Sequence, residues 1–201
     1  MENELCTVPP DQTEVERRKR LEQWLDKGLG NCVLKDPKVA SQVVESWKFF
    51  DNSHYSLVAW VVMPNHVHLL IHHREGEELG KIVQSWKRYT SRRINEWIRQ
   101  GTVRDTHGKA IQQPSNGALW GRDYWDRFIR DEKHYENVVN YIHQNPVKAG
   151  LCRQPAEWAF SSARLWEEKL CEVGCENIPE KEDYNGTFSR ADAEIGVPRK
   201  E

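Results

Sequence analysis

The spacing of apolar residues along the chain divides it into helical and strand-like segments. Residues 13–28, the stretch after Asp36 and Pro37, and residues 75–100 each carry apolar side chains at helical spacing among many charges. This pattern is typical of amphipathic helices that bury one face. We therefore expect three helices in the first half of the chain.

The segment 55–73 follows a different pattern. It reads SLVAWVVM, then a Pro64-Asn65 turn, then HVHLLIHH. β-branched and aromatic residues on both sides of a turn signal favour a β-hairpin. An antiparallel sheet covered by helices predicts an α+β fold.

The second half of the chain is less regular. Residues 101–118 have little periodicity and predict a mobile loop, and residues 119–130 have mixed periodicity that could form a strand with an aromatic face. Asp131 is suited to cap a helix that runs to about Gln144, where Pro146 is expected to end it. From about Cys171 onward we expect little fixed structure.

The length of 201 residues suits one domain with ragged ends. We divide it into an amino-terminal helical segment, 1–54, a core, 55–151, and a region, 152–201, with a short apolar cluster and a mostly flexible acidic tail. No apolar run approaches the roughly 18 residues of a membrane helix, and the amino terminus lacks a signal pattern. We expect a cytoplasmic protein without a membrane partner.

Charge and cysteine content exclude two classes of function. The formal net charge of -2 argues against coating nucleic acid by bulk charge, so any DNA contact must come from a local basic patch. The five scattered cysteines do not form a disulfide framework, and reduced thiols are expected. Cys171 and Cys175 could supply half of a zinc site, but no second pair of ligands follows them.

The candidate chemistry begins on the second strand of the predicted hairpin. The strand period of two places His66, His68 and His72 on one face and apolar residues on the other. Histidines two apart on a strand have Cα atoms roughly 6.5 to 7 Å apart, so both imidazoles can bind one cation. The same pattern also occurs where histidines only fill the solvent face of a sheet.

A second polar group lies on the helix that follows Asp131. Tyr141 and Asn145 are one turn apart, so a phenol and an amide project together. A tyrosine in an amphipathic helix is also a common core residue, and an asparagine before proline is a common helix stop.

Two strings in this sequence resemble a known family. MPNHVHLLI resembles the histidine-hydrophobe-histidine strand of HUH endonucleases, and WDRFIRDEKHYENVVNYIHQNPVKAGL resembles the nucleophile helix of REP-associated tyrosine transposases. The resemblance covers about residues 55–151. It implies a ferredoxin-like α+β sandwich, with an antiparallel sheet bearing His66 and His68 and helices packed on one face. It also implies single-stranded or hairpin DNA as the substrate, and a monomer or homodimer.

The resemblance also implies the roles of individual residues. His66 and His68 would bind a metal, Tyr141 would be the nucleophile, and Asn145 would be the third metal ligand. Two imidazoles and an amide are neutral, so they leave the charge of a divalent ion uncancelled and the ion can polarise a phosphate oxygen. We expect Mg²⁺ or Mn²⁺, which prefer oxygen ligands, with the scissile phosphate completing the shell. The products would be a 5′-phosphotyrosine and a free 3′-OH.

Three other histidines are left out of this set. His72 lies two residues further along the strand, and His73 points to the other face. His143 lies about 200° around the helix from Tyr141.

A DNA-binding patch is predicted on the helix of residues 75–100. Its members are Lys87, Arg88, Arg92 and Arg93, with Trp86 and Tyr89 between them. Basic side chains hold phosphates, and aromatic faces stack unpaired bases. A solvated helix face with Trp86 in the core is the alternative, and for Trp86 we favour it.

The chain departs from the family at its start, where members carry an apolar strand that lies in the middle of the sheet. We expect this strand to be missing, so that another segment or a partner chain completes the sheet, or the copy is shortened.

Two rival functions are considered. A histidine-triad nucleotide hydrolase has a third alternating histidine where Leu70 stands, and a transposase-derived regulatory module would bind single-stranded DNA without cutting it.

Overall fold

The structure is a computed structural model that describes residues 16, 20, 25, 32–105, 108–111, 118–121, 124, 126–173 and 192–196. The predicted helix at 13–28 lies almost wholly outside these residues, although Glu16, Arg20 and Leu25 are helical. Residues 1–15 are also outside them, so the missing amino-terminal strand stays a prediction. Among the described residues, no helix is both long and apolar enough to cross a membrane.

The predicted hairpin is confirmed. Strand β1 (Tyr55–Val62) pairs antiparallel with β2 (His66–His73), and the register places Val61 opposite His68. A third strand, β3 (Asp192–Gly196), pairs antiparallel with the other edge of β2, giving the order β1-β2-β3. The expectation of little fixed structure after about Cys171 is therefore wrong for residues 192–196.

Two helices cover one face of the sheet, and both confirm their predictions. Helix α1 (Pro37–Lys48) begins where the Asp36 carboxylate accepts the backbone N–H of Lys38 at 2.9 Å, and α2 spans Leu79–Arg99. Between them and the sheet lies an aromatic core in which the Trp86 ring centroid is 6.4 Å from that of Trp47 and 5.2 Å from that of Tyr55. Trp86 also donates an N–H to the Tyr55 hydroxyl at 3.1 Å.

Helix α3 (Glu132–Lys148) lies on the opposite face of the sheet. Its residues Val138, Val139 and Ile142 form a second apolar cluster with the β2 residue Leu70 and with residues of β1. The α+β fold with an antiparallel sheet is confirmed, but the expectation of helices on one face only is corrected. An apolar strip on both faces of a sheet requires cover on both.

Helix α3 also runs further than the sequence predicts. Asp131 caps it as expected, accepting the His134 N–H at 2.8 Å, but the helix continues through Pro146 to Lys148. Proline near the end of a helix forfeits only one backbone donor, and the following bonds still form, with Ala149 N–H donating to the Asn145 carbonyl at 3.0 Å. Asn145 therefore keeps its helical position below Tyr141.

The strand suggested for residues 119–130 is wrong for the described residues of that segment, none of which is in a strand. Leu119 and Trp120 are instead buried against α2, where the Trp120 N–H donates to the Thr90 hydroxyl at 2.8 Å. Burial of these side chains offsets the lack of strand pairing.

The outer edge of β1 is covered from further along the chain, before helix α4 (Ala163–Val173). The Val62 N–H donates to the Phe160 carbonyl at 2.8 Å, and the Ser162 N–H donates to the Trp60 carbonyl at 2.9 Å. Both edges of the hairpin are thus paired by segments that follow α3.

Candidate active site

The two histidines of the strand motif converge at one point. The Nε2 atoms of His66 and His68 are 3.0 Å apart, and their side chains are buried, with 1% and 5% of their surfaces exposed. They lie on the face of β2 that α3 covers, because residues with even numbers on this strand share that side. This geometry agrees with the prediction that the two imidazoles converge.

Asn65 fixes the orientation of His66. The Asn65 Oδ1 atom is 2.7 Å from His66 Nδ1, and the Asn65 Nδ2 group donates to the Leu25 carbonyl at 2.8 Å. Burial lowers the pKa of His66 to about 3, so the ring is neutral at physiological pH. A neutral ring that donates from Nδ1 presents the lone pair of Nε2 toward His68.

Helix α3 brings two further groups to the same place. The Asn145 side chain is 3% exposed, and its Nδ2 atom is 3.2 Å from His68 Nε2. The Tyr141 ring meets the His68 ring edge to face, with centroids 5.2 Å apart. The structure therefore brings together all four residues predicted for catalysis and metal binding.

The spacing of these atoms suits an octahedral divalent ion. Donors at right angles, each about 2.1 Å from such an ion, are separated by about 3.0 Å, which matches the 3.0 Å between the two Nε2 atoms. Rotating the Asn145 amide by 180° would exchange Nδ2 for Oδ1 and add an oxygen donor at the same position. Within the described part of the chain, no three histidine, cysteine or acidic residues lie close enough together to hold a metal ion, and the group beside the two imidazoles is the Asn145 amide.

Lys148 is a feature that the sequence analysis missed. It follows Tyr141 by two helical turns, and its Nζ atom lies 5.2 Å from the centroid of the Tyr141 ring. An ammonium group at this distance from an aromatic ring makes a cation–π contact, which helps to hold the ring in place. The i, i+7 spacing on one stripe of a helix was the available signal.

Two of the histidines left out of the set, His73 and His143, have contacts elsewhere. His73 contacts the Arg74 carbonyl at 3.3 Å. His143 is on another side of α3, where its Nε2 is 2.9 Å from the Ser162 hydroxyl. Burial lowers the pKa of His143 to about 4, which suits a structural contact between neutral groups.

The four residues of the predicted DNA patch lie along α2 beside different neighbours. Lys87 and Arg88 line a groove beside Tyr124, whereas the Arg93 guanidinium lies 5.6 Å from the Trp97 ring centroid. Arg92 is exposed on the same helix. Trp86 is in the core, as favoured from the sequence. Helix α2 covers the face of the sheet opposite His66 and His68, so this patch and the histidine site lie on different sides.

Comparison with known proteins identifies the family. The family model described as "Transposase IS200 like" matches residues 33–145, more than half of the chain and all four residues of the site. The chain belongs to this family of IS200-like transposases.

Individual relatives agree with the resemblance seen in the sequence. The chain is 31% identical over 108 residues to the REP-associated tyrosine transposase of Escherichia coli (strain K12), covering 54% of each chain. It is 30% identical over 109 residues to a Haemophilus influenzae protein assigned to the same kind of transposase, covering 54% of this chain and 58% of that one. The resemblance to REP-associated tyrosine transposases is thereby confirmed. The chain spans little more than half the length of these relatives.

A solved structure of a REP-associated tyrosine transposase bound to a REP hairpin is also similar. It is 21% identical, with a TM-score of 0.47, and the match covers 76% of this chain and 74% of that one.

Proposed function

We propose that this chain is a metal-dependent HUH-type tyrosine transposase that cleaves and rejoins single-stranded or hairpin DNA. Tyr141 is the nucleophile, and His66, His68 and Asn145 hold Mg²⁺ or Mn²⁺. The observation that carries the proposal is the convergence of two imidazole Nε2 atoms, 3.0 Å apart, with the Asn145 amide and the Tyr141 ring beside them. Membership of the IS200-like transposase family supports it.

The chain's residues divide the chemistry between them. The bound ion would act as a Lewis acid on a phosphate oxygen. The Tyr141 hydroxyl oxygen attacks phosphorus and gives its proton to solvent, while the bond from phosphorus to the 3′ oxygen breaks. The departing 3′ oxygen takes a proton, leaving a free 3′-OH and a 5′-phosphotyrosine. Lys148, which lies over the Tyr141 ring, helps to hold the nucleophile beside the site.

The neutral state of His66 also supports the proposal. His66 is held neutral by burial and oriented by Asn65, so no proton competes with the ion at Nε2. All four groups come from one chain, which supports cleavage by a monomer, with a homodimer as the alternative for later steps.

The test is a covalent adduct. The protein is incubated with pooled single-stranded hairpins, with Mn²⁺, with Mg²⁺ or with a chelator, and digested for mass spectrometry. We expect a nucleotide adduct on Tyr141 that requires metal and is lost in Tyr141→Phe, which removes only the attacking oxygen. An adduct on Tyr124 or Tyr135 instead would contradict the assignment of the nucleophile.

The burial of the ligands favours a second candidate, a transposase-derived module that binds single-stranded DNA without cutting it. His66, His68 and Asn145 are each at most 5% exposed, so a phosphate must displace protein atoms to reach them. Hairpin binding with no adduct in any metal, including Mn²⁺, would favour this module over the enzyme.

A further inference from the structure

A groove lies on the outer side of α2, away from the histidine site. It has a volume of about 720 Å³ and runs between α2 and the segment that contains Trp120 and Tyr124. The α2 residues that line it, among them Gln84, Lys87 and Arg88, recur at helical spacing and form one stripe of the helix. The groove is within the range of roughly 300–1,000 Å³ typical of pockets for small organic ligands.

Tyr124 forms the aromatic wall of this groove. Its hydroxyl oxygen would be 3.6 Å from a Cβ atom placed on Gly80, and its ring centroid is 5.8 Å from Lys87 Nζ. The side chain therefore extends along two turns of α2. The floor beside it is fixed, because Trp120 is buried and its N–H donates to the Thr90 hydroxyl at 2.8 Å.

Two cationic side chains and an aromatic ring line the groove. Lys87 and Arg88 lie beside Tyr124, together with polar and apolar side chains. A ligand that complements these side chains carries a negative charge and a flat apolar part. A nucleotide has both, since its phosphate pairs with cations and its base stacks on an aromatic ring.

We propose that this groove binds an unpaired nucleotide of the DNA substrate, with the phosphate on Lys87 and Arg88 and the base against Tyr124. The identity of the nucleic acid rests on the proposed function, but the site itself does not require cleavage. Because α2 and α3 cover opposite faces of the sheet, this nucleotide is distinct from the one at the scissile phosphate. The groove thus gives the protein a second, non-catalytic hold on single-stranded DNA.

The test measures binding separately from catalysis, in protein carrying Tyr141→Phe. Fluorescence anisotropy gives the Kd for a labelled single strand of about 16 nucleotides, the upper end of common site sizes, at several salt concentrations. Tyr124→Ala should weaken binding by about 5-fold to 150-fold, the usual loss of one stacked base, whereas Tyr124→Phe should bind as the parent does.

The cations give an independent readout. Replacing both Lys87 and Arg88 by alanine should reduce the slope of log K against log salt by about 1.4, since each phosphate contact on a single strand contributes about 0.7. Arg99→Ala is the matched control, because Arg99 lies on the same helix, is exposed and pairs with Glu96. Its affinity should stay close to that of the parent, and circular dichroism should show every variant folded.

Three results would overturn the proposal. If Tyr124→Ala binds the single strand as tightly as the parent does, no base stacks on Tyr124. If Arg99→Ala loses as much affinity as the Lys87 and Arg88 double variant, the loss reflects overall charge and not the groove. Tighter binding of the corresponding oligoribonucleotide, with the same dependence on Tyr124, would make RNA the ligand. If the groove variants behave as expected but wild-type protein forms no adduct on Tyr141, the proposed cleavage fails and the groove stands.

Discussion

The two faces of the sheet are built from alternate residues of the same strands, yet they differ in kind. The face under α1 and α2 is closed by aromatic packing around Trp47, Tyr55 and Trp86. The face under α3 buries an apolar strip as well, but His66 and His68 interrupt it. A buried polar group is costly unless it has a partner.

On the α3 face the buried polar groups have polar neighbours, because His68 contacts both His66 and Asn145, and His66 also contacts Asn65. The cost of burying them is offset locally, and the same atoms are spaced for a cation. The comparison teaches that one face of this sheet is closed by apolar packing, whereas the other also holds the residues proposed for chemistry. Substitutions on the two faces should therefore change different quantities.

The largest effect is expected on the face under α3, which carries His66 and His68. His66→Ala removes one of two imidazoles at the proposed metal site and should abolish adduct formation on Tyr141, while hairpin binding is largely retained. The measurement is a gel assay for the covalent complex in Mn²⁺, beside a binding assay with the same hairpin. His72→Ala is the matched control, because His72 is on the same side of β2 but outside the site, and it should cleave normally. Metal-dependent cleavage by His66→Ala would remove that residue from the mechanism.

The next largest effect is a loss of stability, expected on the face under α1 and α2. Trp86→Ala should lower the free energy of unfolding by about 3–5 kcal/mol, because it leaves a cavity in the aromatic core. Denaturant unfolding followed by circular dichroism measures this loss. The fraction that remains folded should still form the adduct, and a folded but inactive variant would show that the two faces are not separate.

A substitution at Asn65 tests what orients His66 on the α3 face. Asn65→Ala removes the acceptor of the His66 Nδ1–H and frees the Leu25 carbonyl. Partners that orient a metal-binding histidine usually contribute 10-fold to 100-fold in metal affinity. The Mn²⁺ concentration for half-maximal adduct formation should rise by about that factor, with the maximal yield preserved at saturating Mn²⁺. If the dependence of the adduct on Mn²⁺ concentration does not change, Asn65 contributes only to the turn between β1 and β2.

Local patterns in the sequence predicted most of what positions the site. The period of two in HVHLLIHH gave the shared face of His66 and His68, and the helical spacing of Tyr141 and Asn145 placed them on one stripe. These are short-range relations, which sequence periodicity carries well. Pro146 misled the prediction of the helix end, because a proline penalty of one lost bond was outweighed by packing of α3 on the sheet.

Long-range relations were not predictable. β3 has only five residues and weak periodicity, and its pairing with β2 depends on the positions of the intervening helices. The contact of Asn65 with Leu25 and the contact of Lys87 with Tyr124 depend in the same way on how distant segments meet. The proposed division of the chain at residues 54 and 151 stays a prediction.

The position of β3 in the chain sets an order of assembly. The β1–β2 hairpin connects neighbouring residues and can form within about 1–10 μs, but β3 must close a loop that contains both α2 and α3, and the entropy of closing a loop grows with its length. Until then the backbone of β2 beside His66 and His68 is an unpaired edge, able to pair with the same edge of another unfinished molecule. Refolding yield should therefore fall as protein concentration rises, through association at the strand that carries the proposed metal ligands.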